Sequence, residues 1–168
     1  MDYPSVTNFL LQRTDKTRIL DTMKRASIVF IIVLAFLGIA DSAYLAQSEI
    51  GNTPLICNVE NLSDCNIVAT SQYSRIFGIP VAEFGVAFFG LIFILAALEL
   101  VLFNRLLRRI LQIISLIGII ASLYFSFLEV FVISAFCIYC IASAFITLFI
   151  FISACLIEPI KKKKMPSV

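Results

Sequence analysis

Four long apolar stretches constrain the fold of this chain more than any other feature. They fall at 26–46, 80–103, 107–128 and 134–157. Each has the ~20 residues that a helix, at about 1.5 Å per residue, needs to cross ~30 Å of hydrocarbon. Hydrophobic residues make up 61% of the chain and charged residues only 14%, which excludes an ordinary soluble domain. We therefore predict an all-α membrane protein, a bundle of four transmembrane helices.

Basic residues predict the orientation of the bundle. They precede the first apolar stretch, separate the second from the third and follow the fourth: Arg13, Lys16, Arg18, Lys24, Arg25, Arg105, Arg108, Arg109 and Lys161 to Lys164. Of 13 basic residues, only Arg75 lies elsewhere. By the positive-inside rule, we expect segment 1–25 and the basic tail 158–168 in the cytoplasm. Residues 26–157 then form one domain, whose loop 47–79 is an extracytoplasmic cap between helices 1 and 2.

The ends of the apolar stretches carry further signals. We see no small-residue cleavage site after the first stretch, so we expect it to be retained as a signal anchor. Gly78 and Pro80 predict the start of the second helix, because proline is tolerated in a first helical turn. Ser134 is a candidate N-cap of the fourth helix, which would place Cys137 in its first turn. The alternative is that Ser134 is simply a small residue.

Cysteine is the residue type that remains available for redox or metal chemistry. The chain has no histidine and no tryptophan, which excludes imidazole bases and histidine-ligated metals. Its five cysteines are Cys57, Cys65, Cys137, Cys140 and Cys155. The first four map to the predicted outer side, where disulfides are expected in oxidising compartments. Cys155 lies on the order of 20 Å from Cys140 along the helix, so we assign it to packing.

The CxxC formed by Cys137, Ile138, Tyr139 and Cys140 stands at the outer mouth of a predicted membrane helix. One turn apart, the two sulfurs face the same side and can close a short disulfide. Free amides at the helix start lower the pKa of the first thiol, and a low-pKa thiolate attacks disulfides readily. The spacing therefore favours a redox pair over a structural disulfide.

Cys57 and Cys65 admit more than one use. As a structural disulfide they would stabilise the loop by roughly 2–3 kcal/mol. All four outer cysteines could instead bind zinc, but one pair is spaced by seven residues and the other lies on a membrane helix. A mobile loop pair above a membrane-embedded CxxC is what an electron relay requires. We predict a relay through Cys57, Cys65, Cys137 and Cys140, with no metal.

Other residues near this end are candidates for binding and proton transfer. Phe84, Phe88 and Phe125 could hold a flat apolar ring between the helices, or they could serve packing alone. Glu83 and Glu129 are the nearest acidic residues, and either could relay protons or simply lie in the wet interface. Two other classes stay open at this point: a channel or transporter with a structural disulfide, and a structural or chaperone-binding subunit.

Several ordered motifs are similar to those of one known family. They are Ser42 to Leu45, Asp64-Cys65, Ser71 to Ser74, Phe77 to Pro80, Phe84-Gly85, Ser122 to Tyr124 and the CxxC. From about Ser42 to Ala154 the chain resembles the vitamin K epoxide reductase (VKOR) family. The resemblance implies that Cys57 exchanges disulfides with a thioredoxin-like protein and that Cys65 forms a mixed disulfide with Cys137. It also implies that Cys140 faces and reduces a quinone, and that Ser71 lies near the quinone head group or the CxxC.

Departures from the family pattern refine this expectation. The asparagine and tyrosine that bind vitamin K in the vertebrate enzymes fall on Val81 and Ala144. The chain is therefore more similar to bacterial or archaeal quinone reductases of the plasma membrane than to a vitamin K epoxide reductase proper. The DsbB-like oxidases also use two cysteine pairs in four helices, but in the reverse order along the chain.

The resemblance also sets the expected partners. We expect no fused thioredoxin-like domain, hence a separate thioredoxin-like or DsbA-like protein as the redox partner. The expected cofactor is a quinone of the ubiquinone, menaquinone or vitamin K type, and membrane lipids surround the bundle. No nucleic-acid partner is expected. The implied activity is reduction of the quinone with electrons from extracytoplasmic protein thiols, which supports disulfide bond formation.

Overall fold

The computed structural model describes residues 4–51, 55, 65–135 and 137–157, with side chains from Thr22 onward except that of Thr70. Within these residues, four helices are long and apolar enough to cross a membrane. The elements in chain order are α1 (Pro4–Gly51), α2 (Cys65–Thr70), β1 (Arg75–Ile76), β2 (Ile79–Pro80), α3 (Val81–Leu102), α4 (Arg105–Phe127), a π-helix (Leu128–Ile133) and α5 (Ile138–Ile157). The predicted all-α membrane bundle with four spanning helices is confirmed.

Helix α1 is much longer than the apolar stretch that predicted it. Pro4 occupies the first helical position, where its missing N–H costs nothing, and no glycine or proline follows before Gly38. Within its described side chains, the candidate membrane span of this helix is Thr22–Gly51. An apolar stretch predicts the part of a helix that lies in lipid. The helix itself extends beyond that part as long as no residue interrupts its backbone hydrogen bonds.

The four long helices pack as a ring in which each contacts two neighbours. Helix α1 packs against α3 and α5, and α4 packs against the same two, so α1 and α4 occupy opposite corners. The core that they share is aliphatic and aromatic: Ile28, Ile31, Leu34, Ala35, Phe89, Ile92, Ala96, Leu111, Ile150, Ala154 and Ile157. Large apolar side chains such as Phe36, Phe131 and Leu156 are more than half exposed. A surface with exposed apolar side chains suits contact with lipid tails.

Two glycines allow close contact between helices. A Cβ added at Gly38 of α1 would lie 2.5 Å from the Phe89 ring of α3. A Cβ added at Gly118 of α4 would overlap the Phe88 ring in the same way. Small residues at such crossings let backbones and rings approach closely, which is how membrane helices gain packing energy. The Gly118 contact also fixes the position of Phe88.

A two-residue hairpin turn leads into α3. Arg75 pairs with Pro80 and Ile76 with Ile79, and the turn residues Phe77 and Gly78 have φ of 54° and 84°. Positive φ at both turn positions matches the twist of a tight hairpin. The Val81 N–H then donates to the Ser74 carbonyl at 2.8 Å. Helix α3 therefore starts directly after Pro80, close to the start that Gly78 and Pro80 predicted.

The predicted N-cap role of Ser134 is wrong. Helix α4 continues into the π-helix, and Ser134 ends that π-helix with a left-handed backbone (φ 54°), its N–H donating to the Glu129 carbonyl. Helix α5 begins at Ile138, and the Ile141 N–H donates to the Cys137 carbonyl at 3.1 Å. Cys137 thus occupies the N-cap position and not the first turn. Ser134 belongs to the end of the π-helix, so it is not available to begin α5.

The end of the bundle away from the hairpin carries the described basic residues other than Arg75 and is called here the basic end: Lys24, Arg25, Arg105, Arg108 and Arg109. The Asn104 side chain caps α4 by accepting from the Leu106 N–H at 3.0 Å. The Arg25 guanidinium lies 5.2 Å from the Phe103 ring centroid. Arg108 donates to the buried Glu99 carboxylate, which gives this otherwise apolar helix pair a buried ion pair.

Candidate functional site

A cavity of about 340 Å³ lies inside the bundle at the end opposite the basic end. All five helices, the π-helix and the segment before the hairpin contribute residues to its wall. Its wall is mainly apolar, with a small number of hydroxyl, thiol and carboxyl groups. Sites for small organic ligands span ~300–1,000 Å³ and have this composition. The cavity is therefore large enough for one small, flat, mostly apolar molecule.

Three cysteines line this cavity from two directions. Cys65 is the first residue of α2 and is fully buried. Cys137, 1% exposed, and Leu55 belong to the same small buried cluster. Cys140 packs against that cluster from the first turn of α5. The cavity thus brings the second loop cysteine and both CxxC cysteines to one wall.

The cysteines are in two oxidation states. Cys65 is in a disulfide, whereas Cys137, Cys140 and Cys155 are free thiols. Cys57 lies outside the described residues. The arrangement is that of a loop cysteine held as a disulfide beside a reduced CxxC, which is one of the states that a relay must pass through.

The pKa of Cys137 is lowered from its ordinary value, chiefly by a hydrogen bond from the Cys140 thiol. Burial opposes this effect, and the backbone N–H groups of Cys140 and Tyr139 add to it. Those amides are the second and third of α5, so the Cys137 sulfur acts as the N-cap acceptor that serine or aspartate usually provides. Cys137 is therefore the more nucleophilic thiol of the pair.

Glu129 lies on the other side of Cys140. It is 5% exposed, and its carboxylate accepts hydrogen bonds from the Cys140 thiol and from the Cys137 backbone N–H. The single S–H of Cys140 therefore has two acceptors, the Cys137 sulfur and the Glu129 carboxylate. Glu83, the other acidic residue singled out from the sequence, is exposed at the start of α3 and is not among the described residues that line the cavity.

The four residues proposed from the sequence to contact a quinone all lie in the cavity wall: Ser71, Phe84, Phe88 and Phe125. Phe88 packs edge-on against Phe89, with ring centroids 5.3 Å apart. The Ser71 hydroxyl donates to the Val68 carbonyl at 2.8 Å, so an oxygen lone pair of Ser71 stays available to a ligand. Val81 also lines the cavity and offers no polar group there.

Sequence reasoning missed the polar stripe of α5. Ser143 and Thr147 line the cavity below Cys140, and each donates to a backbone carbonyl of its own helix, Ser143 to Cys140 at 2.9 Å and Thr147 to Ser143 at 2.8 Å. Their spacing from Cys140, three and seven residues, is that of one helical face. That periodicity was the signal that could have identified them.

Cys155 is the free thiol that the cavity does not include. It lies near the end of α5 close to the basic end, is partly buried and is not among the cavity-lining residues. It shares residue type, helix and free thiol state with Cys140 but none of the contacts of Cys140. These properties make it an internal reference for experiments on the other thiols.

The fold and the site together define a class of protein: a helical membrane protein with a reduced CxxC at the mouth of an apolar cavity and a disulfide-bonded cysteine beside it. In the described residues, no group of three or more His, Cys, Asp or Glu side chains could hold a metal ion. The model of the Vitamin K epoxide reductase family matches residues 29–155. The chain belongs to this family, and it is therefore an integral membrane oxidoreductase of a quinone-associated type. No curated protein matches the chain.

Proposed function

We propose that this protein reduces a lipid-soluble quinone with electrons from extracytoplasmic protein thiols, through the pairs Cys57–Cys65 and Cys137–Cys140. The observation that carries the proposal is the shared cavity wall, which holds Cys65, Cys137 and Cys140 around one mainly apolar space. A channel or a structural subunit has no need for a low-pKa thiol at that position. The product of the cycle is a disulfide in the partner protein.

The cavity suits a quinone on size and on chemistry. A quinone supplies a flat ring that accepts two electrons and two protons. Phe84, Phe88 and Phe125 offer aromatic surface to such a ring, and Ser71 offers a hydroxyl. The Val81 side chain is apolar, whereas the vertebrate enzymes have a vitamin K-binding asparagine there. This difference favours a ubiquinone or menaquinone over vitamin K epoxide as the substrate.

The exchange between the two pairs follows from the order of the sulfurs. We propose Cys57 as the disulfide partner of Cys65, since the other three cysteines are free thiols. A reduced thioredoxin-like protein reduces that disulfide and is itself oxidised. The freed Cys65 thiolate attacks the Cys137 sulfur of an oxidised CxxC, the Cys137–Cys140 bond breaks, and Cys140 leaves as the thiolate beside the cavity, where it takes up a proton. Attack of Cys57 on Cys65 then restores the loop disulfide.

We propose that the cavity end faces the extracytoplasmic side of a bacterial or archaeal plasma membrane. The described basic residues of α1 and α4 lie at the opposite end, and in the sequence Lys161 to Lys164 follow α5. Positive charge is retained on the cytoplasmic side during insertion. A partner that handles secreted proteins would meet the loop pair in the compartment where disulfides persist.

The test is quinol formation by the purified full chain in lipid nanodiscs. Reduced thioredoxin-like protein is the donor, and ubiquinone and menaquinone analogues of short chain length are the acceptors. We expect each of the replacements Cys57→Ser, Cys65→Ser, Cys137→Ser and Cys140→Ser to reduce the rate to background. Cys57→Ser should in addition trap the Cys65–Cys137 disulfide, since Cys65 can attack an oxidised CxxC but no Cys57 thiol remains to release Cys137; the trapped disulfide shifts the band in non-reducing gels.

Cys155→Ser is the matched control, because it removes a free thiol from the same helix without touching the cavity. Its rate should equal that of the unmodified chain. Retention of quinol formation by Cys140→Ser, or equal loss in Cys155→Ser, would contradict the relay.

A further inference from the structure

We infer that Glu129 is a catalytic residue that accepts the proton of the Cys140 thiol, an assignment that rests on the proposed quinone reduction. The geometry that carries it is direct contact. The buried carboxylate accepts the Cys140 S–H and is held in place by the Cys137 backbone N–H, and all three residues line one cavity. General bases act at this range, within one hydrogen bond of the proton that they take.

Burial separates this contact from an ordinary surface hydrogen bond. Glu129 is 5% exposed and sits in a stretch, 110–133, that is otherwise apolar apart from three serines, Gln112 and Tyr124. A carboxyl group is costly at such a place and is usually functional in membrane helices. Glu99 is the other buried acid of the described chain, and it is paired with Arg108 at the basic end. The Glu129 carboxylate has no such cation in the part of the chain that the structure describes, and its described hydrogen-bond partners are the two cysteines.

The π-helix explains how Glu129 reaches the CxxC. The backbone carbonyl of Glu129 accepts from the N–H groups of Ser134 and Ala135, at 3.2 Å for the latter, which closes the wide turn and reverses the chain. After this turn the Cys137 backbone N–H donates to the Glu129 carboxylate. π-turns of this kind cost hydrogen-bond geometry and are found frequently at functional sites.

The other titratable groups around the cavity do not compete for this role. Glu49 of α1 lines the cavity, but its charged neighbours are Arg75 and Glu83 and not a thiol. Tyr73 lines the cavity from the segment before the hairpin. Cys65 of α2 is a disulfide sulfur and carries no proton. Among these groups, the Glu129 carboxylate is the one in contact with the Cys140 thiol.

The proton balance of the reaction needs such an acceptor. Oxidation of the pair breaks the Cys140 S–H bond, forms the Cys137–Cys140 bond and sends two electrons to the quinone, which takes up two protons. Cys137 reacts as the thiolate, so its proton has already left to solvent and the second quinol proton returns from there. The first is the Cys140 proton, which Glu129 takes as the sulfur reacts and then gives up on the cavity side. Glu129 ends the cycle as the carboxylate with which it began.

The first measurement needs no quinone. In a Cys137→Ser background, the rate of Cys140 alkylation by iodoacetamide is followed by peptide mass spectrometry against pH, with Cys155 of the same molecule as reference. Glu129→Gln should lower the Cys140 to Cys155 rate ratio at pH 7 by about ten-fold or more. The rate should then rise about ten-fold per pH unit, as expected when hydroxide alone generates the thiolate.

Glu83→Gln is the matched control, the same substitution at an exposed acid near the same end, and its ratio should equal that of the parent chain. A carboxylate that only repels the Cys140 thiolate predicts the opposite sign, namely faster alkylation after Glu129→Gln. An unchanged or increased ratio therefore overturns the assignment.

The second measurement is quinol formation with all cysteines present. We expect a loss of roughly 10²-fold at pH 7 for Glu129→Gln, the lower range for general acid–base catalysis, and a smaller loss for Glu129→Asp. If the unmodified chain forms no quinol, the proposed function fails while the alkylation ratio still decides the role of Glu129. If Glu129→Gln does not fold, Glu129→Asp replaces it in the alkylation assay, and a pH profile identical to that of the parent chain overturns the proposal.

Discussion

At the scale of single residues, the CxxC spacing coincides with the capping geometry of a helix. A side chain at the N-cap and one at the third helical residue face each other, as in the capping box of serine and glutamate. Cys137 and Cys140 occupy these two positions of α5, so the sulfur that accepts the helix amides also accepts the thiol of its partner. The same two contacts that begin the helix stabilise the Cys137 thiolate.

This geometry predicts the pH dependence of Cys137 alkylation. Cys140→Ala removes the hydrogen bond that contributes most to the lowered pKa of Cys137, while the burial that raises this pKa remains. The pKa of Cys137 should rise, and the midpoint of its alkylation by iodoacetamide should move to higher pH than in the unmodified chain. Peptide mass spectrometry over a pH series measures the midpoint, and the reference is Cys155, whose own midpoint should not move. A Cys137 midpoint unaffected by Cys140→Ala would refute this cause of the shift.

At the scale of secondary structure elements, the sequence predicted the long helices well because the period and length of apolar stretches are imposed by the bilayer. It predicted the start of α3 within a residue or two, since Gly78 and Pro80 act through local backbone geometry. The start of α5 failed for the opposite reason. A π-turn is stabilised by tertiary packing, and no residue type indicates one in the sequence. Ser134 therefore looked like the N-cap of α5, although it ends the π-helix.

Contacts between the helices depend on glycine at Gly118. Gly118→Ala would drive a methyl group into the Phe88 ring, and we expect it to destabilise the bundle by about 1–3 kcal/mol, the usual cost of overpacking. Because Phe88 lines the cavity, the same change should raise the KM for the quinone. Thermal unfolding in detergent and steady-state kinetics measure the two effects.

Gly90→Ala is the control for this prediction. An added Cβ at Gly90 meets open space. Alanine is favoured over glycine in a helix by ~0.5–1 kcal/mol, so the free energy of unfolding of this variant, and with it the Tm, should be equal or slightly higher. Equal destabilisation by the two substitutions would show that the Gly118 contact with Phe88 is not the cause.

At the scale of the whole molecule, the cavity exists only because the ring of helices and the segment 65–80 close on one another. Resemblance and helix position made Ser71, Phe84, Phe88 and Phe125 candidates, and the structure brings all four to the lining of one cavity. The sequence could not choose between Glu83 and Glu129, since both lie near the same bundle end in the sequence. Only the turn that reverses the chain after α4 decides which carboxyl meets the thiols, and that turn is a property of tertiary packing.

A cavity lined by all five helices and the π-helix predicts that its ligand stabilises the entire bundle. In the double variant Cys137→Ser/Cys140→Ser, which cannot pass electrons, a short-chain quinone at a hundred times its Kd should stabilise the folded state by about 2.7 kcal/mol, because it binds the folded state alone. Differential scanning fluorimetry of the detergent-solubilised protein measures the rise in Tm.

Adding Ser122→Phe, which places a ring in the cavity wall, should abolish most of this rise. Adding Leu123→Phe, at the next position on α4 and 66% exposed on the outer surface, should leave it intact. Equal Tm shifts in these two variants would mean that the quinone binds elsewhere on the lipid-facing surface.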